Sequence, residues 1–334
     1  MDNQVDALNK ILVDKGTKGS EMAARIILEG IGSEELRKPL QYLIKSKKDV
    51  LRPTLVSLAC EAVGGNPEKI AWVSAFMIIE CYCLGILDDI ADKSAKKSFY
   101  PTFFGRFGVE RALIVSGLLS SKASYSLSRM AAEVSPEKYA KINEVFHEFI
   151  ITGAEAEIEN ANLKRRGVID PLKHYSVLEK QAADIEACTS IGAIVGGGSE
   201  REAGELGNYG KFLGTIIRLR EDLNVALNLT VELSDKIRNH SFPYPLVCAM
   251  SKSQKVKNLI DSLVKKKKIE AVDVEKCVSS LFETGVTNDL VKLGGDLVGN
   301  AVSSLEKLKG EEAARCLGTV AQAQGALLFR QVKS

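Results

Sequence analysis

Apolar positions run through this chain in long stretches that seldom alternate with polar ones, and alanine, leucine, glutamate and lysine dominate. β-branched residues rarely fall in the every-second-position pattern of a strand, so helix is predicted almost throughout. Only eight prolines occur, and residues 172–242 and 246–334 contain none. Helix breaks are predicted at Gly64–Gly65–Asn66–Pro67, Tyr100–Pro101, Ser135–Pro136, Asp170–Pro171, Gly196–Gly197–Gly198 and Pro243–Pro245. Ser135 before Pro136 is a start signal, with serine at the N-cap and proline in the first turn. No break is long enough, or rich enough in Gly, Ser and Pro, to act as a linker, and no repeat of fixed period is present. The pattern predicts one all-α domain over residues 1–334, with roughly ten or more helices.

Within that pattern the run FMIIECYCLGIL leads directly into Asp88-Asp89-Ile90-Ala91-Asp92. A largely buried helix thus ends in three carboxylates, with Asp88 and Asp92 on one face a turn apart. Like charges at that spacing destabilise a helix and call for a cationic partner. Clustered oxygen ligands suit Mg²⁺, which completes its shell with water and phosphate oxygens. The alternative is an exposed acidic helix end beside Lys93, Lys96 and Lys97.

Farther along, Glu221, Asn224, Asn228 and Glu232 recur at intervals of three, four and four, forming a polar stripe beside Asp222. Such a stripe can face the first cluster across a helical bundle and complete a metal site. The alternative is a solvated face with Arg218 and Asp222 as an ordinary ion pair. Cations suited to phosphate are Arg52, which follows Lys45, Lys47 and Lys48, then Lys96, Lys97 and Lys180. Lys180 lies one turn before Asp184, ahead of an apolar segment.

Charge and composition narrow the function classes. Forty-five basic and 43 acidic side chains leave a net charge of +2, with no basic block, so nucleic-acid binding is not expected. The seven scattered cysteines read as buried free thiols of a reducing compartment. The N-terminal thirty residues lack the apolar core of a signal sequence. The apolar run from Ala75 to Leu87 contains Glu80 and is too short for a bilayer span. A cytoplasmic protein without a membrane span is expected.

Taken together, these residues resemble the trans-isoprenyl (polyprenyl) diphosphate synthase family over about residues 40–250. The matching series is Arg52–Pro53, DDxxD at 88–92, Pro101–Thr102, Gly153 to Glu159, Tyr175 to Lys180, Tyr209–Gly210, Gly214, Glu221–Asp222 and Asp235 to Pro245. The resemblance implies a bundle of long helices around a deep central cavity, usually as a homodimer. It implies Mg²⁺-assisted ionisation of an allylic prenyl diphosphate, attack by the double bond of isopentenyl diphosphate, and loss of a proton. By this resemblance Asp88, Asp89, Asp92 and Lys180 are the catalytic residues, and Asp88, Asp92, Glu221 and Asp222 the metal ligands. Lys48, Arg52, Lys97, Lys180 and Arg218 are the substrate-binding residues. Leu84 and Cys83, four and five positions before the aspartates, are not aromatic; a product of about C20 or longer is implied, lined by Phe76, Tyr82 and their neighbours.

The chain also departs from the family pattern. The second acidic motif reads Glu221-Asp222-Leu223-Asn224-Val225, and Ile217–Arg218 replaces a Phe-Gln pair. Lys48–Asp49 stands where Gly-Lys is usual, Lys96-Lys97-Ser98 replaces Arg-Arg-Gly, and Asn239–His240 replaces a late Gly-Lys. These changes fall on the isopentenyl side and the third-metal side. They leave two alternatives: a poorly active or regulatory subunit of a heteromeric synthase, or a class I terpene-synthase-like enzyme that uses Asn224, Asn228 and Glu232.

Overall fold

A computed structural model describes residues 2–97, 100–167, 169–227 and 231–333. The described chain is helical nearly throughout, as its pattern predicts. An N-terminal group comprises α1 (Asp2–Leu28), α2 (Glu34–Ser46), α3 (Leu51–Ala62), a 3₁₀ turn at Pro67–Ile70 and α4 (Ala71–Ala91). A central group follows with α5 (Phe103–Phe107), α6 (Val109–Met130), α7 (Pro136–Arg166), α8 (Pro171–Lys180), α9 (Ala183–Gly196) and α10 (Glu200–Leu227). The remaining helices are α11 (Val231–Arg238), α12 (Tyr244–Lys252), α13 (Gln254–Val264), α14 (Ala271–Glu283), α15 (Val286–Ser303) and α16 (Glu311–Lys333).

Local capping chemistry explains several boundaries. The Ser135 side chain accepts from the Lys138 amide to start α7, which ends where Gly167 turns left-handed at φ 59°. Asp170 accepts from the amides of Leu172 and Lys173 to start α8. Gly197, at φ 84°, closes α9. The Tyr100–Pro101 break carries more structure than expected: Lys96–Lys97 and Tyr100–Pro101 form a two-residue antiparallel ladder, β1 and β2. The left-handed turn at Lys93 reverses the chain after α4, so Lys97 returns to the end of the helix it has just left.

The helices enclose two groups of buried apolar side chains. One gathers residues of α1, α3, α4, α6, α9 and α16; the other gathers those of α12 to α15. α10 serves both, with Leu206, Tyr209 and Leu213 in the first and Ile216, Leu219 and Leu223 in the second. α9 lies against α3 and α10. At Gly210 a Cβ would collide with Ile185 O and Thr189 Oγ1, so only glycine permits that approach.

With its preceding turn, α4 extends over Pro67–Ala91, longer than the Ala75–Leu87 run suggested. By length and composition alone it could cross a bilayer, with a mean hydropathy of 2.0. In the fold, 67% of its most apolar window is buried, which accounts for its character as a core helix.

α10 begins with a reciprocal cap. The Ser199 amide and hydroxyl both donate to Glu202 Oε2, at 2.8 and 2.7 Å, while the Glu202 amide donates to Ser199 Oγ at 3.3 Å. The Ser199 amide, its hydroxyl and Lys309 hold the Glu202 carboxyl down to about 2. Its folded value thus lies below the ordinary 4.5. The associated stability is complete above that pH and disappears as pH falls towards about 2. Glu202→Gln is expected to cost about 1 kcal/mol at neutral pH and much less in acid, measurable from urea midpoints at both.

Candidate active site

Three carboxylates at the C-terminal end of α4 sit where the helix dipole is least favourable to negative charge. The turn that holds them is well defined: the Asp92 amide donates to Asp88 O, Ser94 donates to Asp89 O at 2.9 Å, and Lys93 is left-handed at φ 54°. Asp88 and Asp92 are partly open, with side chains 35% and 29% exposed, whereas Asp89 is wholly enclosed at 0%.

Lysines from three separate segments meet these carboxylates. Lys97 Nζ lies 2.6 Å from Asp89 Oδ1 and 3.4 Å from Asp88 Oδ2. Lys47 Nζ lies 3.8 Å from Asp89 Oδ2, and Lys164 Nζ lies 2.7 Å from Asp92 Oδ1. Burial works against the Lys97 ammonium, but Asp88 and Asp89 outweigh it and raise its pKa. For Lys47 burial wins over Asp89, and its pKa falls. The sequence reading chose Lys48, but Lys48 is exposed and Lys47 faces the aspartates. The reason is a tertiary contact: the Tyr82 hydroxyl on α4 donates to Lys47 O and fixes that residue against the helix.

α7 and α8 form the opposite side. Lys180 Nζ lies 2.6 Å from Glu159 Oε1 and 3.6 Å from Glu155 Oε2, and the Glu159 hydrogen bond raises its pKa against the opposing effect of burial. Glu157, unremarked as a site residue, accepts from Gln181 Nε2 at 2.9 Å. Burial first, then Asp88 and Asp92, push the Glu157 carboxyl up. That coupling brings α7 into the aspartate site.

A second ionic group links α3, α9 and α10. Arg52 pairs with Asp49 at 2.5 Å and with Asp184, and Asp184 pairs with Arg218 at 3.4 Å. Arg218 also lies 3.1 Å from Glu221 Oε2 and donates from Nε to Gln181 O at 3.2 Å. The expected Arg218–Asp222 pair is replaced by these contacts. Burial alone would raise the Asp184 pKa; Arg52 and Arg218 lower it below the ordinary range.

Asp222 departs most clearly from expectation. Its Oδ2 accepts from the Tyr244 amide at 2.7 Å and anchors the start of α12, and burial raises its pKa. That hydrogen bond gives one oxygen of Asp222 a capping role, whereas the neighbouring Glu221 is exposed and meets Arg218. Glu221 and Asn224 lie on α10 and Glu232 on α11, while Asn228 falls outside the described residues. His240 is exposed in a left-handed turn at φ 54°, with its ring 5.9 Å from that of Phe242.

Among the described residues no three His, Cys, Asp or Glu side chains converge into a metal group by themselves. The donor set at α4 nevertheless fits Mg²⁺ that takes further oxygens from a phosphate. Asp88 and Asp92 offer carboxylates a turn apart, and the buried Asp89 oxygens accept no well-directed hydrogen bond among the described residues.

The family model described as polyprenyl synthetase matches residues 33–281. A short chain isoprenyl diphosphate synthase of Methanothermobacter thermautotrophicus is 31% identical over 211 residues, 61% of this chain and 63% of that protein. A geranylgeranyl diphosphate synthase of Methanosarcina mazei is 28% identical over 209 residues, again 61% of this chain and 63% of its own. The chain therefore matches less than two thirds of the length of these relatives. Among solved structures, the geranylgeranyl pyrophosphate synthetase of Pyrococcus horikoshii superposes with a TM-score of 0.82 at 20% identity, covering 95% of this chain and 97% of that one. A Caulobacter crescentus polyprenyl synthase, crystallised with calcium and isoprenyl diphosphate, gives 0.84 at 16% identity and 98% of both chains. These structures share the fold.

Proposed function

Because the chain belongs to the polyprenyl synthetase family, we propose that it is a trans-prenyltransferase that joins an allylic prenyl diphosphate to isopentenyl diphosphate. The observation that carries this reading is the end of α4, where Asp88, Asp89 and Asp92 meet lysines from three segments. The allylic C–O bond breaks, a carbon–carbon bond forms with the isopentenyl double bond, and a proton leaves. Asp88 and Asp92 would hold Mg²⁺, with Glu221 as a further ligand and Asp89 in support. When bound, Mg²⁺ neutralises charge on the departing diphosphate.

The chain's own groups do the rest. Lys97 and Lys180 neutralise the allylic diphosphate. Arg52, Arg218 and Lys47 (in place of Lys48) serve the isopentenyl diphosphate. Behind the aspartates, Phe76, Ile79, Cys83 and Ile86 form a buried apolar wall that would keep water from a cationic intermediate. The relatives named geranylgeranyl diphosphate synthases support a product of about C20 or longer. Two side chains expected along a product channel have other partners: Phe76 packs edge-on against Phe146 at 4.7 Å, and the Tyr82 hydroxyl bonds Lys47 O.

We further propose one domain over residues 1–334, a cytoplasmic setting and a homodimer. Exposed Leu113 and Ile114 on α6, and Ile151 and Ile158 on α7, support a self-complementary apolar surface. Light scattering that returned the mass of one chain would remove the dimer.

The heteromeric-subunit reading has one observation in its favour: Arg52 and Arg218 are already engaged by Asp184. One assay separates the readings. Purified protein with Mg²⁺, an allylic primer and labelled isopentenyl diphosphate is expected to give a longer prenyl diphosphate unaided. Product only after mixing with a second synthase would favour the subunit. Diphosphate release without isopentenyl consumption would favour a terpene-synthase-like enzyme. No binding of any prenyl diphosphate would sink the enzymatic reading.

A further inference from the structure

We infer that Lys164 is an internal counter-ion which occupies Asp92 until a diphosphate arrives, so that metal and diphosphate bind interdependently. The inference rests on the metal reading of the α4 aspartates and adds a residue that its motifs do not contain. Lys164 stands 72 positions after Asp92, on the last turn of α7. Its Nζ is 2.7 Å from Asp92 Oδ1, and its side chain is only 17% exposed. The ammonium is therefore held within the protein. Its backbone is fixed by the left-handed end of α7 at Gly167.

The charges make this placement consequential. Asp88, Asp89 and Asp92 face Lys47, Lys97 and Lys164, three carboxylates against three ammonium groups. The cluster is balanced before any ligand enters and presents little net charge to attract a dication. A metal at Asp92 would meet the Lys164 ammonium at close range, so Lys164 must move away when the metal binds. Glu157, the carboxyl on α7 that couples to Lys164, Asp88 and Asp92, is already engaged by Gln181 Nε2 at 2.9 Å. An incoming diphosphate supplies the better acceptor: it takes the released ammonium and brings the negative charge that a dication adds to the cluster needs. Lys97 already bridges Asp88 and Asp89, and Asp89 retains it when Asp88 is taken. Lys164 has Asp92 as its ion-pair partner in the described structure and is the group that must exchange.

The test is a titration of the full-length protein with Mn²⁺, with free metal counted by electron paramagnetic resonance. It is run with and without a fixed concentration of inorganic pyrophosphate, on wild type, Lys164→Met and Lys164→Arg. Protein-free solutions at the same pyrophosphate concentration correct for Mn²⁺ held by pyrophosphate itself. Wild type is expected to bind Mn²⁺ weakly alone and about 100-fold more tightly with pyrophosphate. Lys164→Met should tighten binding of Mn²⁺ alone about 10-fold and reduce the pyrophosphate effect by the same factor, because with pyrophosphate bound Lys164 has already left Asp92 and the two proteins should bind Mn²⁺ alike. Lys164→Arg, which keeps the charge, should behave as wild type and guards against a folding defect in the methionine variant. If Lys164→Met binds Mn²⁺ alone no better than wild type, while both still bind it with pyrophosphate, the counter-ion inference is wrong and the metal reading stands. If wild type binds no Mn²⁺ even with pyrophosphate, the metal reading fails and takes the inference with it.

Discussion

Asp88→Ala will lower condensation by about a thousandfold, about 4 kcal/mol in the barrier, while leaving the fold almost as stable as before. The large effect on rate follows from the proposed role: a ligand lost at the leaving diphosphate weakens an interaction that matters most as charge separates. The small effect on stability follows from geometry. Asp88 is 35% exposed and meets Lys97 at 3.4 Å, an arrangement worth well under about 1 kcal/mol. Its removal leaves Lys97 with Asp89 at 2.6 Å. Asp89→Ala is the instructive contrast, because it strips a fully buried carboxylate from both Lys97 and Lys47 and should cost stability as well as rate. Turnover of labelled isopentenyl diphosphate, set beside thermal unfolding, separates the two. An Asp88→Ala enzyme within tenfold of wild type would remove these carboxylates from the chemistry.

What the amino-acid order conveys about this molecule divides by sequence distance. Helix starts at Ser135 and Asp170 and the stop at Gly197 were readable because the capping groups lie within three residues of what they cap. The end of α4 was readable for the same reason: an apolar run followed by carboxylates is a local pattern. The partners of those carboxylates were not. Lys164 and Asp92 are 72 positions apart, and Arg52 and Asp184 are 132 apart, so no periodicity joins them. Choosing Lys47 over Lys48 required knowing how the end of α2 rotates against Tyr82, a tertiary contact. Asp222 shows the same limit. Its position beside Glu221 looked like part of a ligand pair, but the amide it caps belongs to Tyr244, which only the packing of α12 on α10 brings near. Arg218 stands four residues before Asp222 on the same helix, which offers an ordinary ion pair as one alternative; the structure gives it Glu221 and the more distant Asp184.

The buried Asp184 connects that long-range organisation to stability. Asp184→Ala is expected to cost about 3–5 kcal/mol, the usual result of leaving buried charge unpaired. Its side chain is only 6% exposed and serves two guanidinium groups from different helices, Arg52 on α3 and Arg218 on α10. Taking it away leaves Arg52 with Asp49 alone, and Arg218 with Glu221 near the surface. Arg218→Gln should cost only about 1 kcal/mol, since Arg218 is 31% exposed and Asp184 keeps Arg52. The double variant should be less destabilised than the sum of the two, because the glutamine removes one of the charges that the alanine strands. The acid response carries a sign as well. Arg52 and Arg218 overcome burial to hold the Asp184 pKa below its ordinary 3.8, so this contribution is complete above that pH and declines as pH falls below it. Urea midpoints for the four proteins at neutral pH, repeated in acid, measure both effects. Additive costs, or a loss of under about 1 kcal/mol for Asp184→Ala, would mean that the two arginines are held by something other than the carboxylate between them.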